Sequence, residues 1–478
     1  MASTINANTL SALDKGLKYN YANVVKDLIR KDSALLDMFM EDKGFNKDLG
    51  GRSLIWPLVT DRPFNNGVGS EDSYFPGFSG STNDDIDRIT PVEASLGRAY
   101  AYATVAFTEQ MMADVHKDFE LFKGWGYARH IKTMQDDFRM YLERMALGDG
   151  TGILGVVNGA PSLSSGNTVV TLKPASTIDA RGVLGTQRLY KNMKVSIIRA
   201  ADWATSARTA KIHSNVGGSG TAVQKVVAVS GIHDVTASPT ITLSGDLVSS
   251  AALADGDIIV EGNSRVANST GGNASDDSGL YCFQGLFAFI DDGTLTTKLY
   301  NLTRSSYTQL NSQVDLSSTG RNLTWQMLQV MFDKLYRRRG SQDTEIENEY
   351  MLLTERSVRT NYVAADGEAA KRYVQEDKAK KLVAGFKDVT LAFIGNDTLL
   401  PWVALNTMPY GHALLMRKSD LKVMWDIPPG IVTGDGLTQR QITGKPVYYV
   451  ALQAVGNFKK DEPWLDGRIS GLNGTFSA

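Results

Sequence analysis

Residues 116–152 constrain the fold of this chain more than any other stretch. They read as a helical run of about eight turns, roughly 45 Å long at 1.5 Å per residue. The run stops abruptly in Gly148-Asp149-Gly150-Thr151-Gly152. Phe122, Trp125, Ile131, Met134, Phe138, Leu142 and Met145 form an apolar stripe at helical spacing. Gln135, Asp136, Asp137, Arg139, Glu143 and Arg144 fill the remaining faces. Gly124 and Gly126 interrupt its start, so the continuous helix is expected over 127–147. Gly148 supplies the C-terminal stop.

The flanks of this helix differ sharply. Upstream, residues 9–40 read as a helical arm: Leu10, Leu13, Leu17, Tyr21, Val24 and Leu28 keep three-and-four spacing, and Leu35, Leu36 and Phe39 extend it. Residues 50–115 then read as a long two-stranded excursion. Its outgoing strand is 52–59, which reaches a sheet edge at Pro57. Residues 63–91 are rich in Gly, Asn, Ser, Asp and Pro and read as a loop. Residues 98–107 read as the returning strand. Tyr100, Tyr102 and Thr104 lie on one of its faces and Ala99, Ala101, Ala103 and Val105 on the other. A two-stranded ribbon is marginal in water by itself, so a neighbouring subunit is its expected support.

Downstream, residues 155–275 lose most of their charge to Gly, Ser, Thr, Val and Ala. Strands are expected at 168–172, 193–198, 223–230, 240–244 and 257–261, separated by glycine-rich turns. That pattern fits an inserted small β-barrel or sandwich, with 264–278 as its return linker. Helix and strand signals mix from residue 280. A helix is expected from Trp325 through Leu335, capped at Asn322 or Thr324 and ending in Arg337-Arg338-Arg339. Strands are expected at 351–354, 389–394, 413–415, 421–425 and 447–453, with a helix over 355–364.

No catalytic, cofactor-binding or metal-binding constellation is legible. The glycine cluster 148–152 follows a helix and contains no lysine, unlike a phosphate-cradling loop. The five histidines, His116, His130, His213, His233 and His412, show no ligand pairing. The single cysteine, Cys282, sits among apolar neighbours and reads as a small buried hydrophobe. The acidic group Glu71, Asp72, Asp84, Asp85 and Asp87 reads as a solvated loop, with a bound cation or a basic patch on a neighbour as the alternative. Arg337–Arg339 suit a helix C-terminus, where cations meet the helix dipole. A formal net charge of −2 gives no global basic field for nucleic acid or anionic membrane. No run reaches the ~20 apolar residues of a membrane span.

The order of parts resembles the major capsid proteins of tailed bacteriophages, which share the HK97-like capsid fold. The resemblance covers about 9–155 and 280–475. Its most specific piece is Tyr141-Leu142-Glu143-Arg144-Met145-Ala146-Leu147-Gly148-Asp149-Gly150-Thr151-Gly152, supported by Gly285-Leu286 and the stretch 301–307. It implies an α+β fold with an N-arm (1–48), an extended β-hairpin E-loop (49–112) and a spine helix of the P-domain (113–154). An inserted β-rich domain (155–278) and the rest of the P-domain with the A-domain (279–478) complete it. It implies a non-enzymatic protein of the virion, assembled in the host cytoplasm. Hexamers and pentamers would tile an icosahedral shell around double-stranded DNA, with no sequence-specific grip on it.

Two departures from the family pattern carry further expectations. The arm begins within ten residues of Met1, so a separate scaffolding protein, or the inserted module itself, is expected to guide assembly; portal and decoration proteins are the other expected partners. Some family members crosslink an E-loop lysine to a neighbour. Residues 48–116 contain no lysine, so non-covalent contact is expected to hold this shell. The alternatives are an encapsulin-like compartment and, from another class, a β-rich adhesin or carbohydrate-binding protein.

Overall fold

The computed structural model describes residues 35–41, 53–59, 91–109, 127–150, 152–173, 188–198, 223–229, 239–245, 253–261, 283–339, 350–362, 390–433, 439–441 and 446–473, apart from isolated positions within them. The fold mixes helices and strands. Its first elements are β1 (Met40–Glu41), β2 (Ser53–Val59), β3 (Pro91–Gly97), β4 (Ala99–Thr108) and helix α1 (Tyr127–Leu147). Helix α1 holds no Gly or Pro, and it buries Ile131, Met134, Phe138, Leu142 and Met145 along one stripe. At about 1.5 Å per residue, its 21 residues span roughly 31 Å. Its end is the stop expected at Gly148, whose N–H donates to the Met145 carbonyl at 3.1 Å. Gly150 and Gly152 then take φ of 84° and 74°, a region in which a side chain is strained.

The two-stranded excursion exists, but its return strand is β3 rather than 98–107. Strand β2 pairs antiparallel with β3 from Ser53↔Gly97 to Val59↔Pro91. Strand β4 instead joins a strand some 350 positions further on. Residues 36–39 also differ from the helical reading: Leu36–Met38 is a single 3₁₀ turn leading into β1. The rest of the expected arm helix, and the loop 63–90, lie outside the described residues.

The middle of the chain contributes β5 (Ile153–Val156), β6 (Ser162–Ser164), β7 (Asn167–Thr171), β8 (Lys194–Ile198), β9 (Val223–Val229), β10 (Thr240–Leu243) and β11 (Ile258–Glu261). They form one antiparallel sheet in the order β5-β11-β8-β9-β10-β7-β6. An antiparallel bridge from Val157 to Leu172 brings the end of β5 back to the end of β7. Six strands therefore close on themselves, which leaves few open edges. Leu154, Val170, Val195, Ile197, Val226, Ile241, Leu243 and Ile259 fill a hydrophobic cluster of their own inside.

The last part holds helix α2 (Leu286–Phe289), β12 (Lys298–Leu299), β13 (Leu302–Thr303), β14 (Gln313–Asp315), helix α3 (Trp325–Arg339), β15 (Tyr350–Thr354), β16 (Thr390–Phe393), β17 (Asn396–Ala404), β18 (His412–Arg417), β19 (Leu421–Ile431), β20 (Arg440–Gln441), β21 (Val447–Lys460) and β22 (Gly467–Ser470). Thr324 Oγ1 accepts from the Met327 N–H at 3.3 Å and so caps α3. A six-stranded sheet runs β14-β22-β18-β15-β17-β16. Side-chain alternation divides it between two cores. Tyr350, Leu352, Ala413 and Leu415 meet α3 and its neighbours, whereas Met351, Leu353, Leu414 and Met416 join the main core. That main core also takes α1, α2, the inner face of the ribbon and a second sheet. In the second sheet β21 lies between β19 and β4, with β1 beyond β19 and β20 beside β21.

Candidate assembly surfaces

Two surfaces stand out, and both follow from strand alternation. In the β2–β3 ribbon, Leu54, Trp56, Leu58, Val92, Ala94 and Leu96 turn inward onto the main core. The anchor is aromatic: Trp56 meets the Tyr300 ring edge-on at 5.0 Å, and Lys459 Nζ lies 4.6 Å over its face. The Ser95 N–H donates to the Tyr300 carbonyl at 2.9 Å. The outward positions carry Ile55 and Val59, each 58% exposed. A soluble monomer gains nothing by presenting two large aliphatic groups on a marginal ribbon.

The second surface is the outer face of β4. Ala99, Ala101 and Phe107 are buried, with α1 packed against this strand. Tyr100 and Tyr102 point the other way, 51% and 61% exposed. Their cross-strand partners on β21 are Val455 and Gln453, followed by Thr104↔Ala451 and Ala106↔Tyr449. Residues 99–108 and 447–456 contain no charged side chain, so this face is an uncharged strip. Among the described residues β4 pairs only with β21, and its outer edge has no strand beside it. Charged residues or coverage usually protect such an edge; here Arg98 pairs with Asp426 at 3.0 Å at the strip's end.

Beneath these surfaces, the elements are locked together by buried charge. Arg468 Nη2 lies 2.8 Å from Asp291 Oδ1, with both side chains fully buried. The other Asp291 oxygen accepts the N–H groups of Gly293, Leu295 and Thr296. Arg304 donates to the carbonyls of Ala288, Asp291 and Leu310. Burial pushes its guanidinium down to about 10, against the attraction of Asp291. Arg188, from the middle of the chain, is likewise pushed down to about 10 by burial and then by Arg144, against Asp149. His412 is held at about 3 by burial and by Arg468 and Arg188, so it is neutral at physiological pH. Its Nδ1 lies 3.0 Å from Ser470 Oγ.

The sequence motifs find ordinary places. The glycine stop packs against Gly285, where an added Cβ would fall 2.4 Å from the Met145 carbonyl oxygen and 2.5 Å from Gly148 N. This close approach joins the two stretches that carry the family resemblance. Arg338 spans to the carbonyls of Asn311 and Trp464, at 3.2 Å for the latter. It is therefore a strut within the subunit. The acidic loop group and Cys282 lie outside the described residues. The polar junction was not legible as a site, since Asp291 and Arg468 stand 177 positions apart.

Comparison with known proteins gives no matching family model and no matching curated protein. Solved structures do match. One is described as the cyanophage A-1(L) capsid asymmetric unit, at 9% identity over 91% of this chain and 90% of that one, with a TM-score of 0.46. A second is described as the satellite phage P4 procapsid including its size determination protein: 7% identity, 94% and 99% coverage, TM-score 0.34. A third is Mycobacterium phage Bobi, at 10% identity, 93% and 91% coverage and a TM-score of 0.38.

Proposed function

We propose that this chain is a structural shell subunit, the major capsid protein of a tailed phage. The ribbon carries this reading. It is anchored on its inner face by Trp56 and Tyr300 and presents Ile55 and Val59 outward. Beside it, β4 offers Tyr100 and Tyr102 on an uncharged strip. Outward apolar groups on an extended element, next to a sheet edge that no described strand pairs, are surfaces that a neighbouring copy would cover. Interfaces of obligate assemblies bury several thousand Å² in total, and extended elements supply such area without a large core.

In this reading β2–β3 is the base of the E-loop, α1 the spine helix, and the second sheet its P-domain partner. The six-stranded sheet with α3 belongs to the A-domain, and the closed sheet of 153–261 is an inserted domain. Copies would form hexamers and pentamers of an icosahedral shell around double-stranded DNA. A separate scaffolding protein and a portal would be partners. A near-zero net charge suits a wall that contains DNA without reading it.

The test keeps both paired strands and removes the reach of the loop. Replacing residues 63–88 with a short Asn-Gly turn should leave a soluble subunit with wild-type circular dichroism and no shells by negative-stain microscopy. Normal shells from that variant would overturn the role given to the loop that the ribbon carries.

A further inference from the structure

Lys460 and Asp466 form a pair that the assembly reading leaves unused. Lys460 ends β21 and Asp466 immediately precedes β22. The two flank the turn that carries the chain from one sheet to the other. Both side chains are 0% exposed, and Lys460 Nζ lies 3.1 Å from Asp466 Oδ2. The contact has ion-pair distance but not hydrogen-bond angles, and Oδ2 accepts no other hydrogen bond.

The surrounding groups are arranged about this contact. The Arg417 N–H donates to Asp466 Oδ1 at 3.0 Å, and the Lys460 amine donates to the Arg417 carbonyl at 3.1 Å. One residue thus polarises the carboxyl and aims the amine. The Tyr300 hydroxyl bonds both the N–H and the carbonyl of Lys460, which fixes the backbone beneath it. Two further carboxylates, Asp420 and Glu462, sit on the Arg417 guanidinium.

Burying an ammonium and a carboxylate away from water is costly unless their geometry is excellent. Condensing a carboxylic acid with an amine to a neutral amide removes both charges. Burial favours the neutral acid, holding the Asp466 carboxyl up at about 6 against the pull of Lys460. Two groups held in contact within one chain also gain the effective concentration of an intramolecular reaction.

We propose that Lys460 and Asp466 condense into an amide within the subunit. The Nζ lone pair attacks Asp466 Cγ, and the new C–N bond replaces the C–O bond to the hydroxyl. The hydroxyl leaves as water, taking up one of the two protons of the amine, and the other stays on the amide nitrogen. No electrons are exchanged and no co-reactant is required. The bond staples the turn between β21 and β22 and joins no second chain.

The assay is the intact mass of the purified full-length protein, followed by fragmentation of the peptide containing 460–466. The expected mass falls short of the sequence mass by one water, and trypsin no longer cleaves after Lys460. Asp466→Asn should fall short by one ammonia instead, and Asp466→Ala should show the full sequence mass. A wild-type protein whose 460–466 peptide carries no deficit, and which trypsin cuts after Lys460, would overturn the proposal whatever the variants do. Shell assembly is a separate readout, so either reading can fail alone.

Discussion

Replacing Tyr100 and Tyr102 together by Thr isolates the assembly role of β4 from its folding role. The pair is 51% and 61% exposed. A tyrosine side chain presents roughly 200 Å², so about 220 Å² remains open on the two. At ~25 cal/mol per Å², complete coverage by a neighbour would be worth about 5 kcal/mol. Coverage of half that area leaves about 2–3 kcal/mol per contact, or roughly a hundredfold in association. Threonine keeps a strand-favouring side chain, and the buried partners Ala99 and Ala101 are untouched. Subunit stability in urea should therefore stay within about 0.5 kcal/mol of wild type. The concentration at which particles form, followed by light scattering, should rise about a hundredfold. Unchanged assembly would refute the coverage argument. A large loss of urea stability would show that the tyrosines belong to the subunit's own core.

Two further outcomes follow from the buried junction. Asp291→Asn leaves the Arg468 guanidinium fully buried beside a neutral group and turns an amide toward three backbone N–H donors. It should cost about 3–5 kcal/mol in urea unfolding. His412 has a folded-state pKa of about 3 against 6.5 when exposed. The unfolded chain therefore binds the extra proton first, so the stability His412 contributes is complete above pH 6.5 and is lost as pH falls towards 3. His412→Asn should flatten the acid limb of the stability profile; an unchanged limb would contradict the assignment.

The sequence was most legible where local rules act alone. Helix α1 and its stop at Gly148 follow from an unbroken stripe and a terminal glycine. The strands of the closed sheet follow from alternation between glycine-rich turns. Strand β5 leaves no signal of its own, because Ile153–Val156 directly follows the glycine cluster and is buried throughout, so it shows no alternation. The ribbon shows the limit. The two faces of residues 99–107 follow from alternation, but their partner lies near residue 450, and no local signal announces a pairing at that distance. Strand β3 hid between a proline and a glycine. Prolines also concealed β17, which contains Pro401, and the second half of β19. There Pro428 and Pro429 are absorbed by register shifts after Trp425 and Ile427. Buried ion pairs such as Asp291 with Arg468 leave no pattern in the chain, because only the fold brings them together.

The most direct test of the shell reading is negative-stain microscopy and sedimentation of the purified full-length protein, with nuclease treatment before nucleic acid is extracted. Closed particles or rings of megadalton mass, containing protected double-stranded DNA when made in an infected host, are the predicted result. A monodisperse monomer that never assembles, at any concentration or with a scaffolding partner, would contradict it.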